Sequence, residues 1–147
     1  MEDMRSLQER TLAVAIQQPR WSPDGRTIVG QTTGAVAGMI VADQGANRPV
    51  VAVCPADGGA CRLLGLGRVP VWSPDGSRIF FQRDTANPAV KTLWSVTADG
   101  RDERKVFDRM GPYRMIDVMF DVSRNGEIVW SAFLEGRHEL WQASVRP

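Results

Sequence analysis

Residues able to do chemistry are few in this chain. Its one histidine, His138, stands between Arg137 and Glu139. A lone imidazole in a charged turn, with no nucleophile beside it to activate, reads as a surface residue. No Gly-x-Ser-x-Gly segment occurs, so the nucleophile elbow of an α/β-hydrolase is missing. The glycines at 58, 59, 65 and 67 lack the strand-to-helix context of a phosphate-binding loop. Asp24 and Asp75 are carboxylates that could serve a metal or acid–base role. Each lies in a Ser-Pro-Asp-Gly turn, however, where its bond to its own backbone accounts for it. Cys54, Cys61 and a single distant histidine do not supply a tetrahedral zinc set. The sequence therefore predicts no catalytic residue, no metal and no cofactor.

Cys54 and Cys61 bracket Pro55–Ala60, which reads as a hairpin loop. Facing positions on paired strands could be close enough for a disulfide, and a disulfide would favour an oxidising compartment. The plainer reading, preferred from the sequence, is two small half-buried thiols.

The elements behind these residues are set by a repeat. Trp21-Ser22-Pro23-Asp24-Gly25 recurs 51 residues later as Trp72-Ser73-Pro74-Asp75-Gly76, and 50 residues further on as Val122-Ser123-Arg124-Asn125-Gly126. Ser-Pro-Asp-Gly fits a type I turn closed by glycine: proline presets φ, Asp bonds its own backbone, and glycine accepts a positive φ. Asn-Gly in the third copy is itself a hairpin turn. A tryptophan leaves one strand and Ile28-Val29, Ile79-Phe80-Phe81 or Ile128-Val129-Trp130 begins the next, so each unit opens as a β-hairpin. A second echo, Leu93-Trp94 and Leu140-Trp141, falls in one slot of the repeat.

The remaining segments follow the same plan. Unit one, about 12–64, has strands at Thr27–Thr33, Val50–Cys54 and Arg62–Leu64, with a loose insertion from Gly34 to Arg48. Unit two, about 69–107, has Val69–Trp72, Arg78–Arg83, a loop over Asp84–Val90, Thr92–Val96 and Lys105–Phe107. Unit three, about 115–145, has Ile116–Val122, Ile128–Phe133 and Glu139–Ala143, and lacks a fourth strand. Met4-Arg5-Ser6-Leu7 sits where the outermost strand of a preceding unit would be; a short helix over Met4–Arg10 is the alternative. Four-stranded units at this period predict an all-β fold of three β-propeller blades in one domain.

Composition fits that picture. The 147 residues suit one domain, and 43% hydrophobic content with 18 basic against 17 acidic residues leaves a net charge of +1. Such a balance gives no bulk attraction to nucleic acid or anionic membrane. Basic residues alternate with acids, as in Arg101-Asp102-Glu103-Arg104-Lys105, and read as a solvated hairpin edge. No apolar run reaches the length of a membrane span. Residues 1–18 carry Glu2, Asp3, Glu9 and Arg10 and lack the apolar core of a signal peptide. With Met1 as the native start the expected compartment is the cytoplasm; with a leader removed it is the periplasm or the exterior.

The Trp-Ser-Pro-Asp-Gly turn, the Ile-x-Phe-type strand after it and Leu93–Gly100 resemble the propeller repeats of TolB, the tricorn protease and the prolyl oligopeptidase family. The resemblance covers nearly the whole chain. It implies a propeller fold that serves envelope complexes, peptidase gating domains and binding proteins alike. Such propellers have six or more blades, and here there are three.

A three-blade arc exposes strand-rich ends that invite pairing. Closure by a second copy, with Met4–Leu7 completing the third blade of its partner, is the expected remedy; the alternatives are that this chain is a piece of a larger propeller or that a different propeller-completing chain closes it. Recognition is expected where units differ, on the face opposite the short turns. Its candidates are Met39, Ile40 and Val41 in the insertion, with Arg109, Tyr113 and Arg114 in the connector 108–114. Two functions follow: a non-catalytic protein-interaction or scaffold module, or an accessory gating domain for a hydrolase or envelope complex on another chain.

Overall fold

The computed structural model describes residues 16–33, 48–87, 90–110, 119–134 and 136–145, leaving aside the side chains of 132–134. These residues form strands and turns and no helix. The first sheet has the order β1 (Gln17–Trp21), β2 (Thr27–Thr33), β3 (Pro49–Pro55), β4 (Arg62–Leu66). The second repeats it with β5 (Arg68–Trp72), β6 (Arg78–Asp84), β7 (Lys91–Thr97) and β8 (Arg104–Met110). The third holds β9 (Phe120–Val122), β10 (Glu127–Leu134) and β11 (Arg137–Ser144). All pairings are antiparallel. The first strands adjoin one another, β1 against β5 and β5 against β9, so they form the inner wall of an arc with later strands outward.

The repeated turns close as their composition dictates. Gly25, Gly76 and Gly126 donate N–H to the carbonyls of Ser22, Ser73 and Ser123 at 2.9, 2.9 and 3.0 Å. All three glycines have φ near +70°, at 69°, 71° and 75°, where a Cβ would be strained.

Side chains alternate between the two faces of each sheet, and neighbouring sheets bury facing sets. Val29, Val51 and Val53 of the first sheet share a core with Trp72, Ile79, Phe81 and Val96 of the second. Val71, Phe80, Leu93 and Met110 of the second share another with Phe120, Val122 and Ile128 of the third. Each sheet thus has a leading face turned to the sheet before it and a trailing face turned to the sheet after it.

An inner-strand irregularity ties the first two sheets together. Ladder pairing slips between Gln17 and Arg20, and again between Arg68 and Val71. Gln18 and Val69, each before a proline, take a φ of 51°. That conformation is costly for a β-branched residue, on the order of 1–3 kcal/mol, and persists only when its surroundings hold it. Here the Val69 N–H donates to Gln31 Oε1 of the first sheet at 2.8 Å, a fully buried bond. Gln31→Ala is expected to destabilise the fold by about 1–3 kcal/mol, because it orphans a buried N–H; the midpoint of urea denaturation reads it out.

The structure corrects several sequence expectations. The second sheet's outer strand continues to Met110, so Asp108 and Arg109 lie in β8 rather than in a connector. Met110 is fully buried and pairs with Lys91, which draws the strand onward. Asp84 closes β6 instead of opening a loop, and His138 stands, as expected, at the start of the last strand, β11. The two thiols are joined: Cys54 and Cys61 form a disulfide with Cα atoms 4.2 Å apart. The β3–β4 turn holds both residues at bridging distance, so the half-buried thiol reading fails.

Candidate interaction surfaces

On the short-turn side, the carboxylates are consumed by their own turns. Asp75 Oδ1 accepts from Ser73 Oγ at 2.6 Å, from the Ser77 N–H at 3.0 Å and from Ser77 Oγ at 2.8 Å. Asp24 repeats this with Ser22 Oγ at 2.6 Å and the Arg26 N–H at 3.0 Å. Asp99 does so with Thr97 Oγ1 at 2.5 Å and the Arg101 N–H at 3.1 Å. Such donors favour the ionised form. The Ser73 hydroxyl first, then the Ser77 N–H and hydroxyl, lower Asp75 from 3.8 to about 2. The Ser22 hydroxyl and then the Arg26 N–H lower Asp24. The Thr97 hydroxyl and then the Arg101 N–H lower Asp99. These are anions fixed as structural acceptors, poor candidates for proton transfer near neutral pH.

A pH dependence follows. The folded chain holds Asp75 ionised down to about 2 while the unfolded chain protonates near 3.8. The unfolded state therefore binds more protons in that window, and the stability present above it is lost as pH falls through it. Denaturation midpoints are expected to drop between about pH 4 and pH 2. Asp75→Asn should give a shallower drop than the parent chain.

The inner side of the arc carries a cleft of about 570 Å³, lined by Trp21, Val71, Trp72, Met119, Trp130 and Leu140 among others. Arg20 and Asp121 add one charge of each sign. Aromatic residues, methionine and arginine are the types enriched in protein contacts.

The two ends of the arc differ sharply from its interior. Trp72 on the second sheet's leading face is 7% exposed, whereas Trp21 in the same slot of the first is 60% exposed. On the trailing faces Val51 and Leu93 are 0% exposed, and their counterpart Leu140 is 78% exposed. The register fixes this equivalence, since Gln31, Gln82 and Ser131 pair with Val51, Leu93 and Leu140 respectively. Among the described residues β11 pairs only with β10, and its Trp141 is 45% exposed. Trp141 stacks on Trp130 at 6.4 Å, and Trp130 meets Phe107 of the second sheet at 6.3 Å.

Of the expected loop-face residues, Met39, Ile40, Val41, Tyr113 and Arg114 lie outside the described residues, as do Met4, Arg5, Ser6 and Leu7. Arg109 is exposed at the penultimate position of β8. His138 is likewise exposed. Among the described residues no three His, Cys, Asp or Glu side chains converge as metal ligands would.

Sequence reasoning passed over the ionic cluster at the far end of the second sheet. The Lys91 side chain is 4% exposed and its Nζ lies 2.5 Å from Asp84 Oδ1, while Arg68 Nη2 lies 2.7 Å from Asp84 Oδ2. Nothing in the repeat signals it. Gln31 could have been found, because Gln82 follows it by 51 residues, as Pro70 follows Pro19.

Antiparallel sheets of three or four strands set side by side around an inner wall are β-propeller blades, and the described residues form an all-β run of three of them. No family model matches the chain, and no curated protein does. Solved structures do. The β-propeller domain of the Trilobed protease from Pyrococcus furiosus superposes with a TM-score of 0.61 at 16% identity, over 88% of this chain and 38% of that one. A chain of the nidogen/laminin complex gives 0.57 at 10% identity, over 86% and 43%. A TolB candidate from Agrobacterium tumefaciens gives 0.52 at 19% identity, over 86% and 57%. At these identities the likeness is one of fold. The chain spans between 38% and 57% of the length of these three structures.

Proposed function

We propose that the chain is a non-catalytic protein-interaction or scaffold module, a propeller arc that works in contact with another polypeptide. The observation that carries this reading is the exposure of Leu140 and Trp21 at positions where the interior blades bury Val51, Leu93 and Trp72. Apolar surface at a slot the repeat elsewhere uses for packing supports a contact with further polypeptide there. Arg109, exposed in β8, is a second contact residue of this reading, together with Met39, Ile40, Val41, Tyr113 and Arg114 from the sequence. The presence of a nidogen/laminin chain among the fold neighbours supports it.

A gating or accessory role beside a hydrolase on another chain is the second reading, supported by the propeller domain of the Trilobed protease. Purification from the native source under mild conditions separates the two. A structural or envelope complex supports the scaffold, and a hydrolase partner supports gating. Turnover of peptide or ester substrates by the purified chain alone would overturn both.

A further inference from the structure

We propose that the cleft on the inner side of the arc is a receptor for a proline-rich segment of a partner polypeptide, held in the extended polyproline II conformation. This deepens the interaction reading above and rests on it. Four large apolar side chains are exposed among the described residues: Trp21, Met119, Leu140 and Trp141. Three of them, Trp21, Met119 and Leu140, line this one cleft. Apolar side chains exposed singly need no explanation, whereas three gathered round one hollow support a contact site there. The volume of about 570 Å³ lies within the roughly 300–1,000 Å³ of clefts that hold ligands.

The walls select the kind of occupant. Trp21 and Trp72 come from one slot of the repeat, Pro23 and Pro74 follow them by two residues, and Trp130 adds a third indole. Indole and pyrrolidine rings offer flat apolar faces and few hydrogen-bonding groups. The turns that carry the two prolines are already closed, the Ser22 N–H on the Thr27 carbonyl at 2.9 Å and the Ser73 N–H on the Arg78 carbonyl at 2.8 Å. A surface set in advance loses little on binding.

An added β-strand is the wrong occupant. The inner strands β1, β5 and β9 are each paired on one side only among the described residues. Pro19 and Pro70 take an N–H away from β1 and β5, the ladder slips around each proline, and β9 is three residues long. Edges so interrupted do not template a strand. A polyproline II segment does without them, because its backbone stays solvated while its rings dock on aromatic-lined grooves. Two charges fix the flanks of that segment. Arg20 and Asp121 line the cleft without pairing with each other. Asp121 Oδ1 accepts only the neighbouring Val122 N–H, at 2.9 Å. A segment carrying one acid and one base around its prolines complements both.

Calorimetric titration of the full chain with a short oligoproline peptide flanked by one glutamate and one arginine should give a saturable, single-site isotherm. A peptide of the same length and charge built on alternating valine and threonine should bind about tenfold more weakly or less well still. Trp21→Ala and Met119→Asp should each raise the Kd for the proline peptide about tenfold or more. Both side chains are exposed, so circular dichroism should show the fold unchanged. Asp121→Lys should weaken this peptide more than one whose arginine is replaced by glutamine. Absence of saturable binding by the proline peptide overturns the proposal. So does equal affinity for the valine–threonine peptide, or an unchanged Kd in Trp21→Ala. A chain that binds no peptide yet holds a partner protein through native purification overturns the cleft inference and leaves the interaction reading standing. A chain that cleaves the peptide overturns both.

Discussion

Phe81→Ala is expected to destabilise the fold by about 3–5 kcal/mol, read as a lowered urea midpoint at unchanged slope. Phe81 is 2% exposed and sits in the core shared by the first two blades, beside Val51 and Ile79. Its ring lies so close to Gly67 that a Cβ there would fall 2.4 Å from Phe81 Cδ2 and 3.0 Å from Val51 Cγ2. The chain between β4 and β5 has thus closed down onto this ring. A cavity left at that point is walled by three backbone segments and collapses poorly, which places the cost in the upper part of the range for aromatic truncation. The Arg83 guanidinium, 5.1 Å from the Phe81 ring, loses one of its two aromatic supports as well. Because Phe81 joins two blades, the loss should appear as one cooperative transition at lower denaturant. Separate melting of the first blade would contradict this account.

The second large effect is expected at Asp84→Ala, about 3 kcal/mol. Asp84 holds Lys91 through one carboxylate oxygen and Arg68 through the other. Its own side chain is 31% exposed, but that of Lys91 is 4% exposed, so removing the carboxylate strands an ammonium away from water. The control is the double replacement Asp84→Ala with Lys91→Met, which should recover most of the lost stability because an apolar side chain needs no counter-charge. If the single and double variants unfold at the same midpoint, the pair is an ornament of the surface and the burial argument fails.

The contrast between these two sites shows what a sequence of this kind discloses. Phe81 sits in the Ile-x-Phe strand after the repeated turn, and periodicity alone marks it as core. Asp84 and Lys91 occur once each in their slots, so no repetition exposes them; only the three-dimensional meeting of β5, β6 and β7 does. The turns were legible because their chemistry is local. Ser73, Pro74, Asp75 and Gly76 satisfy one another within a few residues, without help from the rest of the fold. The end of β8 was not legible, because Arg109 looks like loop until the burial of Met110 extends the strand past it. The sulfur bridge was equally hidden, since the choice between thiols and a bond is made by the path of the β3–β4 turn and not by the spacing of Cys54 and Cys61. Of the site, the shape of the arc was readable from blade count. The residues that matter at its ends became visible only by comparing Leu140 with Val51 and Leu93.

The amide of Gln31, which reaches across to the Val69 N–H, has its counterpart in Gln82, and in the third blade that slot is filled by Ser131. A hydroxyl on so short a stem cannot span to a neighbouring backbone as the glutamine does. Any body that settles against this last blade therefore lacks the polar latch that holds the first two together. Were that body a second polypeptide, the contact would part on dilution more readily than the joint between the first two blades.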